Sequence, residues 1–241
     1  MSIKRKVLAT VATLALAGGV LATSALTAGT ARAASNPCGP FCINTMNKQT
    51  GHGYYMDVYR QGNRIGQPII MFRGSNADPA LDFTVTDLVT QSFPFLPYTV
   101  GVLAGMGVPF APITAAQYKD SYVVEFQYAP YGVNSGLCVG LQNAPTNGEG
   151  VTLQNCGLTP KTLWIINSNN PLQSFVNGWT ALVNGANANF SHQYVLSYPI
   201  NSFPTDLPRP QLYVHTIQTF SSGFPLVHTN QLWRVSFGRL H

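Results

Sequence analysis

The sequence predicts an all-β protein. Short runs of alternating or β-branched residues recur along the chain, and Gly, Asn, Pro or Ser stands at their borders. The 22 glycines and 17 prolines favour turns between these runs. Apolar residues do not keep the i, i+3, i+4, i+7 spacing of a long amphipathic helix anywhere, and Ser174–Val183, with room for two turns, comes nearest. Many short strands with turn-rich connections are typical of a barrel or a sandwich.

The predicted strands all lie within residues 50–241, which we interpret as one domain. Each strand is bounded by turn-forming residues and is too short for a helix of ordinary length. The strands are Tyr54–Tyr59, Pro68–Phe72, Tyr122–Tyr128, Leu137–Leu141, Val151–Gln154, Leu163–Ile166, Tyr194–Tyr198, Leu212–Ile217 and Leu232–Phe237.

Residues 1–33 have the features of a secretory signal peptide. Met1–Lys6 is basic, and Val7–Thr27 is an uncharged run of Ala, Leu, Val, Thr and Gly. Ala31-Arg32-Ala33 then supplies the small-x-small pattern of a cleavage site. We expect cleavage near Ala33 and secretion of the remainder. A membrane-anchoring helix is the weaker alternative, because the run is rich in Ala, Thr and Gly and a cleavage pattern follows it at once.

Most of the excess positive charge belongs to this leader. The chain carries a net charge of +5, but four of its 13 basic residues lie in the first 33 positions, where there is no acid. Nine basic residues then face eight acidic ones in the remainder. The basic character of the whole chain therefore does not indicate a nucleic-acid partner, and we expect none.

The four cysteines lie beyond the leader, and an even number in an exported chain predicts two disulfides. Four cysteines allow three pairings. The sequence favours Cys38–Cys42, which closes a small loop in the N-terminal segment 34–49, together with Cys138–Cys156. The C-x3-C spacing has no His-x3-His partner nearby, so we expect no metal and no other cofactor.

Three segments share one pattern: a strand, a Gly-containing turn, a second strand, a polar loop and an aromatic residue that opens a third strand. They are Met56–Val85, Leu137–Ile166 and a looser one from Tyr194 to Val235. Their closing aromatic residues are Phe83, Trp164 and Trp233. These are farther apart than the roughly 20–50 residues of compact repeats, so we expect long loop insertions between the strands.

Short motifs in these segments point to a known family. The second segment contains Cys138, a Gly-rich turn, VTLQNC ending at Cys156, and Trp164 after a loop. QLW ending at Trp233 is a full Q-x-W motif, while TLW at Trp164 and LDF at Phe83 are eroded copies. In these stretches the chain resembles the ricin B-chain-type β-trefoil lectins. The resemblance implies three pseudo-repeats forming a six-stranded barrel with a hairpin cap, a bridge between the two cysteines of the second repeat, and closing aromatic residues in the core.

The resemblance also implies a shallow sugar site. In this family an Asp lies two residues after the first cysteine position, an aromatic platform ends the second strand, and Asn or Gln follows in the loop. An aromatic ring packs on the apolar face of a sugar while a carboxylate accepts hydrogen bonds from its hydroxyls. The first segment matches best, with Asp57, Phe72, Asn76 and Asp78 as the candidate carbohydrate-binding residues.

Two features of the first segment leave alternatives open. Met56 or Tyr55 stands in for the cysteine, and only Tyr55 gives the expected spacing to Asp57. Asp57 could equally form a surface ion pair with a neighbouring arginine, and plain core packing is the alternative for Phe72.

The other two segments match less well. In the second, Gly140 replaces the Asp and Gln154 replaces the aromatic platform, which indicates a structural repeat. In the third, Gln211, Tyr213 and Asn230 match the pattern but the Asp is missing. These three residues are the second-choice carbohydrate site.

The sequence gives no support for catalysis. It has no G-x-S-x-G, H-E-x-x-H or P-loop motif, and no pair of carboxylates with a catalytic spacing. Residues 88–118 form an uncharged insertion with four prolines and three glycines, which argues against a straight spanning helix. We expect this insertion to pack on the barrel; a surface for a partner protein or a membrane is the alternative.

The sequence therefore predicts a secreted, monomeric, non-catalytic β-trefoil with long loop insertions that binds an extracellular glycan or polysaccharide. The alternative is a trefoil that has lost sugar binding and acts as a protein-binding module or protease inhibitor through its loops.

Overall fold

The structure is a computed structural model, which describes residues 43–74, 78–81, 83–85, 98–166, 178–187, 192–219 and 227–237. The all-β prediction is confirmed, because strands dominate the described residues and the two α-helices are short. The strands are β1 (Ile43–Asn47), β2 (Tyr54–Val58), β3 (Ile69–Arg73), β4 (Phe83–Val85), β5 (Val123–Val124), β6 (Phe126–Tyr128), β7 (Leu137–Leu141), β8 (Glu149–Asn155), β9 (Trp164–Ile166), β10 (Leu182–Asn184), β11 (Tyr194–Ser197), β12 (Tyr213–Thr216) and β13 (Trp233–Phe237). The helices are α1 (Val100–Gly105) and α2 (Pro112–Gln117).

Antiparallel ladders connect most of these strands into one sheet. The sheet has eleven strands in the order β13-β1-β4-β6-β7-β8-β12-β11-β10-β9-β5, and β2 pairs with β3 in a separate hairpin. Among the described strands its ladders do not close, since β13 and β5 lie at the two ends of this order. A single bridge between Thr180 and Trp233 joins the residues before β10 to β13.

Three hairpins, β2–β3, β7–β8 and β11–β12, have the same register. Asp57 lies opposite Ile70, Gly140 opposite Thr152, and Ser197 opposite Tyr213. Side chains alternate between the two faces of a strand, so these positions are equivalent in the three hairpins. Tyr55 then takes the place of Cys138, and the residue that stands in for the cysteine is Tyr55 rather than Met56.

The second strands of the three hairpins meet one another in a cyclic pattern. Ile70, Thr152 and Tyr213 occupy equivalent positions, and so do the residues two positions before them, Pro68, Gly150 and Gln211. In each contact, a residue of the earlier position in one hairpin pairs with a residue of the later position in another hairpin. The three pairs are Pro68 with Thr152, Gly150 with Tyr213, and Gln211 with Ile70. Each hairpin therefore touches both others in the same way.

The closing aromatic residues are core residues, as predicted. Trp164 and Trp233 are buried, and their indole Nε1–H groups donate to the carbonyl oxygens of Val139 (2.9 Å) and Leu196 (2.7 Å), which are equivalent positions of β7 and β11. Phe83 is buried in the same cluster. A buried indole nitrogen needs such an acceptor, so these bonds fix each Trp relative to its hairpin.

The disulfide between Cys138 and Cys156 is confirmed, and it ties β7 to the residue that follows β8. Cys38 and Cys42 lie outside the described residues, so their pairing stays a prediction.

Two strands, β1 and β10, had no predicted counterpart, and β4 was indicated only by the repeat pattern in which Phe83 opens a strand. β1 lies in the segment assigned to residues 34–49 and pairs with β13 and β4. All five of its residues are buried although three are polar, and Asn47 Nδ2 donates to the Asn230 carbonyl at 2.9 Å. β10 ends the stretch with the helix-like pattern, but Leu182 and Val183 face two different core clusters, so the extended form is the one that buries both.

The described part of the apolar insertion, residues 98–118, packs on the strands as expected. Val100, Leu103, Phe110 and Tyr118 share a buried cluster with residues of β5, β9, β10 and β11. Its two short helices were not predicted. Among the described residues no helix has the length and apolar character needed to cross a membrane.

Candidate functional site

The candidate site lies on the face of the β2–β3 hairpin that points away from the main core. Met56, Val58, Ile69 and Met71 alternate into the core cluster. The opposite face carries Tyr55 and Asp57 on β2, with Phe72 and Ile70 as their partners on β3. We call this set of four residues, together with Arg209, the hairpin face.

Arg209 enters the hairpin face from the third segment. Gln211 lies opposite Ile70 across the outer edge of β3, so the residue two positions earlier lies opposite Phe72. The guanidinium carbon of Arg209 is 5.1 Å from the centroid of the Phe72 ring, which is cation–π geometry. Nη1 of Arg209 also donates to the carbonyl of Pro204. Both Phe72 and Arg209 are half-buried.

Asp57 is the buried acid of the hairpin face. Its side chain is only 3% exposed, and Oδ2 has no hydrogen-bond partner among the described residues. Burial raises the pKa of Asp57 to about 8, and the negative charge of Asp78 adds to the effect. A buried carboxylate without a partner is costly, so the carboxyl group is mostly protonated at neutral pH.

The neighbouring arginines have other contacts. The guanidinium of Arg60 lies over the Tyr59 ring at 5.1 Å, and Nε of Arg64 donates to Gln67 Oε1 at 3.2 Å. In the part of the chain that the structure describes, neither contact involves Asp57.

Asp78 lies beside the hairpin face, just before a 3-10 turn at Pro79–Leu81 that packs against β2. It is half-buried, and its Oδ1 accepts a hydrogen bond from Gln61 Nε2 at 3.2 Å. The structure thus brings Asp57, Phe72 and Asp78 to one region of the first segment. Asn76 lies outside the described residues.

The second-choice residues occupy different surroundings. Gln211 Nε2 donates to the carbonyl of Val151 at 3.0 Å, and the buried Asn230 donates through Nδ2 to the carbonyl of Tyr198 at 2.9 Å. Both amides therefore hold backbone in place. Tyr213 is half-buried, which raises its pKa, and its ring lies edge-on to His215 at 6.2 Å.

The register also revises which residue of the third segment corresponds to Phe72. Tyr213 occupies the position of Ile70, and His215 occupies the position of Phe72. Tyr213, the aromatic residue that the sequence pattern selected, therefore lies two positions before the residue equivalent to Phe72.

The second segment lacks room for an acid at the equivalent position. A Cβ atom on Gly140 would lie 2.9 Å from both the carbonyl oxygen of Lys161 and Cγ2 of Thr162. Gln154, in the position of Phe72, donates to Thr152 Oγ1 at 2.7 Å. These contacts fit the structural role expected for this repeat.

One other cluster has the residue types of a metal site. Within the described residues, only Glu125, Cys138 and Cys156 come together in this way. The two cysteines are bonded to each other, which removes both thiolates. Oε1 of Glu125 accepts from Thr162 Oγ1 at 2.5 Å and from the Leu158 amide at 3.1 Å, so the carboxylate anchors the loop before β9.

A shallow cleft of about 520 Å³ lies between the insertion and the loop before β9. Its walls are mainly apolar, with the amine-bearing Lys161 at one side. The Lys161 Nζ donates to the carbonyl of Gln142 at 2.9 Å.

Comparison with known proteins shows a likeness in structure only. No family model and no curated protein matches the sequence. An exo-β-1,3-galactanase from Clostridium thermocellum superposes with a TM-score of 0.50 at 10% identity, over 82% of this chain and 30% of its own length. The chain therefore spans less than a third of that enzyme. The designed threefold-symmetric protein ThreeFoil (TM-score 0.48, 14% identity, 80% of this chain and 96% of its own) and the Rhizoctonia solani agglutinin (0.46, 15%, 83% and 96%) also superpose. At these identities the likeness concerns the fold alone.

Proposed function

We propose that this chain is a secreted, non-catalytic β-trefoil protein that binds extracellular carbohydrate on the hairpin face. Two repeated features support the trefoil assignment. The three hairpins meet in a cyclic pattern, and Trp164 and Trp233 donate equivalent hydrogen bonds to their hairpins. Each hairpin needs its neighbours to bury its apolar side, so the three together make one domain.

One observation carries the carbohydrate proposal: the hairpin face combines an aromatic ring with a buried acid whose Oδ2 has no partner among the described residues. A sugar offers the complementary chemistry, since its C–H face packs on a ring and its hydroxyls both donate and accept hydrogen bonds. A protonated carboxyl group of Asp57 can accept through one oxygen and donate through the other. The equivalent positions of the other hairpins hold Gly140 and Ser197, so only the first segment offers a carboxyl group there.

The burial of these side chains sets the order in which a ligand meets them. Phe72 and Asp78 are half-buried, whereas Asp57 is almost completely covered. In this proposal a sugar contacts the more exposed Phe72 and Asp78, and one of its hydroxyls reaches the more buried Asp57. Asn76 precedes Asp78 by two residues and is the proposed loop contact.

A glycan-array screen of the chain from Ala34 onward, with an Asp57→Ala variant, tests the proposal. We expect binding to a defined set of glycans and a loss of about tenfold or more in the variant, because alanine offers no hydrogen-bonding group to a sugar hydroxyl. Asp120→Ala is the matched control, since Asp120 is exposed and lies shortly after α2, outside the hairpin face. Absence of binding to every glycan would overturn the carbohydrate proposal.

A second candidate is a protein-binding module or protease inhibitor that uses the loop of residues 199–210. Phe203 and Leu207 are 67% and 84% exposed in this loop. Its backbone is held by bonds from the Phe203 amide to Asp206 Oδ2 (2.6 Å) and from the Asp206 amide to the Phe203 carbonyl (2.9 Å). A rigid loop with protruding apolar side chains suits insertion into a protein cleft.

Inhibition assays against a panel of serine and cysteine proteases test this candidate. We expect inhibition by the unmodified chain and its loss in a Phe203→Ser, Leu207→Ser double variant. A panel without any inhibited protease would count against it.

A further inference from the structure

Arg209 adds a charged group to the proposed sugar site, next to the ring of Phe72. The position equivalent to Phe72 is Gln154 in the second segment and His215 in the third. Of these three equivalent positions, Phe72 is the one on which the described residues stack a guanidinium. A ligand that reaches this ring therefore meets an aromatic–guanidinium pair rather than a bare platform.

Among the described residues Arg209 makes one hydrogen bond, which leaves most of its donors available. A guanidinium carries five N–H donors in one plane. The Nη1 bond to Pro204 uses one and holds the orientation of the plane. Among the described residues, no carboxylate forms an ion pair with Arg209. Stacking occupies the face of the guanidinium, while its N–H edge is the part that binds a carboxylate in a bidentate way.

The acids of this region are Asp57, Asp78 and Asp206, and the described residues show no ion pair between Arg209 and any of them. Asp57 is buried and mostly protonated at neutral pH, because desolvation raises its pKa to about 8. Oδ1 of Asp78 accepts a hydrogen bond from Gln61 Nε2, and Oδ2 of Asp206 accepts one from the Phe203 amide. Among the described residues, the guanidinium of Arg209 is the charged group that lies over the Phe72 ring.

From this geometry we propose that the hairpin face selects acidic sugars, with the carboxylate of the sugar bound by the N–H edge of Arg209 and its ring packed beside Phe72. The inference rests on the proposed carbohydrate function and names its ligand class. A sugar carboxylate occurs in uronic acids and in sialic acids, and the two sources share the chemistry that Arg209 recognises.

Pairs of oligosaccharides that differ only in the carboxylate test the inference. One arm compares galacturonate with galactose oligosaccharides, and the other compares sialylated with desialylated glycans. We expect the unmodified chain to bind the acidic member of at least one pair about tenfold more tightly, in line with one charge-assisted bidentate contact. The arm in which this preference appears identifies the source of the carboxylate.

Variants at Arg209 identify the residue responsible. Arg209→Gln is expected to remove the acidic preference while the affinity for the neutral member stays within about twofold. Arg209→Lys is expected to keep part of it, because an ammonium group retains the charge but not the bidentate fork. Arg234→Gln, a charge removal at an exposed position of β13, is the control and should bind like the unmodified chain. Thermal unfolding of each variant confirms that it folds.

The outcomes separate the two proposals. Equal binding of acidic and neutral members overturns the acidic preference but leaves the carbohydrate function standing. Tighter binding of neutral sugars by Arg209→Gln would also overturn it, since Arg209 would then be blocking the platform. Binding to no glycan at all would overturn the carbohydrate function itself.

Discussion

Replacement of Asp57 by asparagine is expected to change how stability depends on pH. The pKa of Asp57 rises from 3.8 to about 8 on folding. The folded state therefore holds this proton more tightly than the unfolded state, so stability is highest below pH 4 with respect to this group and falls as pH rises towards 8. At full ionisation this difference in pKa lowers the free energy of unfolding by about 6 kcal/mol. About 4 kcal/mol of this decrease has already occurred at pH 7. The side-chain amide of the Asp57→Asn variant does not ionise, so the variant escapes the loss.

Urea unfolding between pH 5 and pH 9, followed by tryptophan fluorescence, measures the effect. The Asp57→Asn variant is expected to be more stable than the unmodified chain, with a gap that grows by up to about 1.4 kcal/mol per pH unit until pH 8. Asp78→Asn should keep this slope but level off at a lower pH than the unmodified chain, because the charge of Asp78 contributes to the raised pKa of Asp57. Asp120→Asn is the control with an unchanged slope. Equal slopes for Asp57→Asn and the unmodified chain would refute the reasoning, because Asp57 would then titrate alike in both states.

Three further predictions concern the framework. Gly140→Ala should lower the free energy of unfolding by about 1–3 kcal/mol because the added Cβ has no room, whereas Gly105→Ala in α1, where the Cβ meets open space, should be neutral or slightly stabilising. Denaturant curves that rank the two variants the other way would contradict this. Removal of the Cys138–Cys156 bridge by double substitution with Ala should cost about 3 kcal/mol, as expected for a loop closed over 18 residues, and an unchanged midpoint of chemical unfolding would be the contrary result. Trp233→Phe removes the indole bond to the backbone and leaves a cavity, so we expect a loss of about 2–4 kcal/mol, and a loss below about 0.5 kcal/mol would show that the bond is not needed.

Most strands could be predicted from short runs of β-branched or alternating residues between turn-forming residues. β1 and β10 could not, because polar residues interrupt β1 and because β10 ends a stretch whose apolar residues have a helix-like spacing. In β1 three polar residues are buried, and Asn47 reaches a backbone carbonyl near the other end of the chain. A buried polar side chain looks like a surface residue in a sequence, because the acceptor that permits its burial is supplied by a distant segment.

The two helices of the insertion begin with recognisable helix-start residues, but the high Pro and Gly content of the insertion concealed them. The Thr99 hydroxyl accepts a hydrogen bond from the Val102 amide and caps α1, and Pro112 is at the first turn of α2. Both are regular helix-start features. The insertion as a whole is rich in Pro and Gly, and that richness argues only against a long helix, not against two short ones.

Only the residues of the candidate site that lie on the β2–β3 hairpin could be predicted from the sequence. Asp57 and Phe72 could be located from the strand pattern, and the register then decided in favour of Tyr55 as the cysteine equivalent. Arg209 could not be found, because it belongs to another repeat and reaches Phe72 through the pairing of the third segment with β3. Tyr213 matched the pattern by residue type, but the register places it two positions from a platform.

Removal of the aromatic ring from the hairpin face tests whether carbohydrate binds there. Titration of the tightest-binding glycan into the unmodified chain, Phe72→Ala and Gln154→Ala tests it most directly, since the two substituted residues occupy equivalent positions in the first and second hairpins. We expect Phe72→Ala to weaken binding about tenfold or more, through loss of the ring that the sugar packs on, while Gln154→Ala binds like the unmodified chain. Equal affinity for Phe72→Ala and the unmodified chain would contradict the claim.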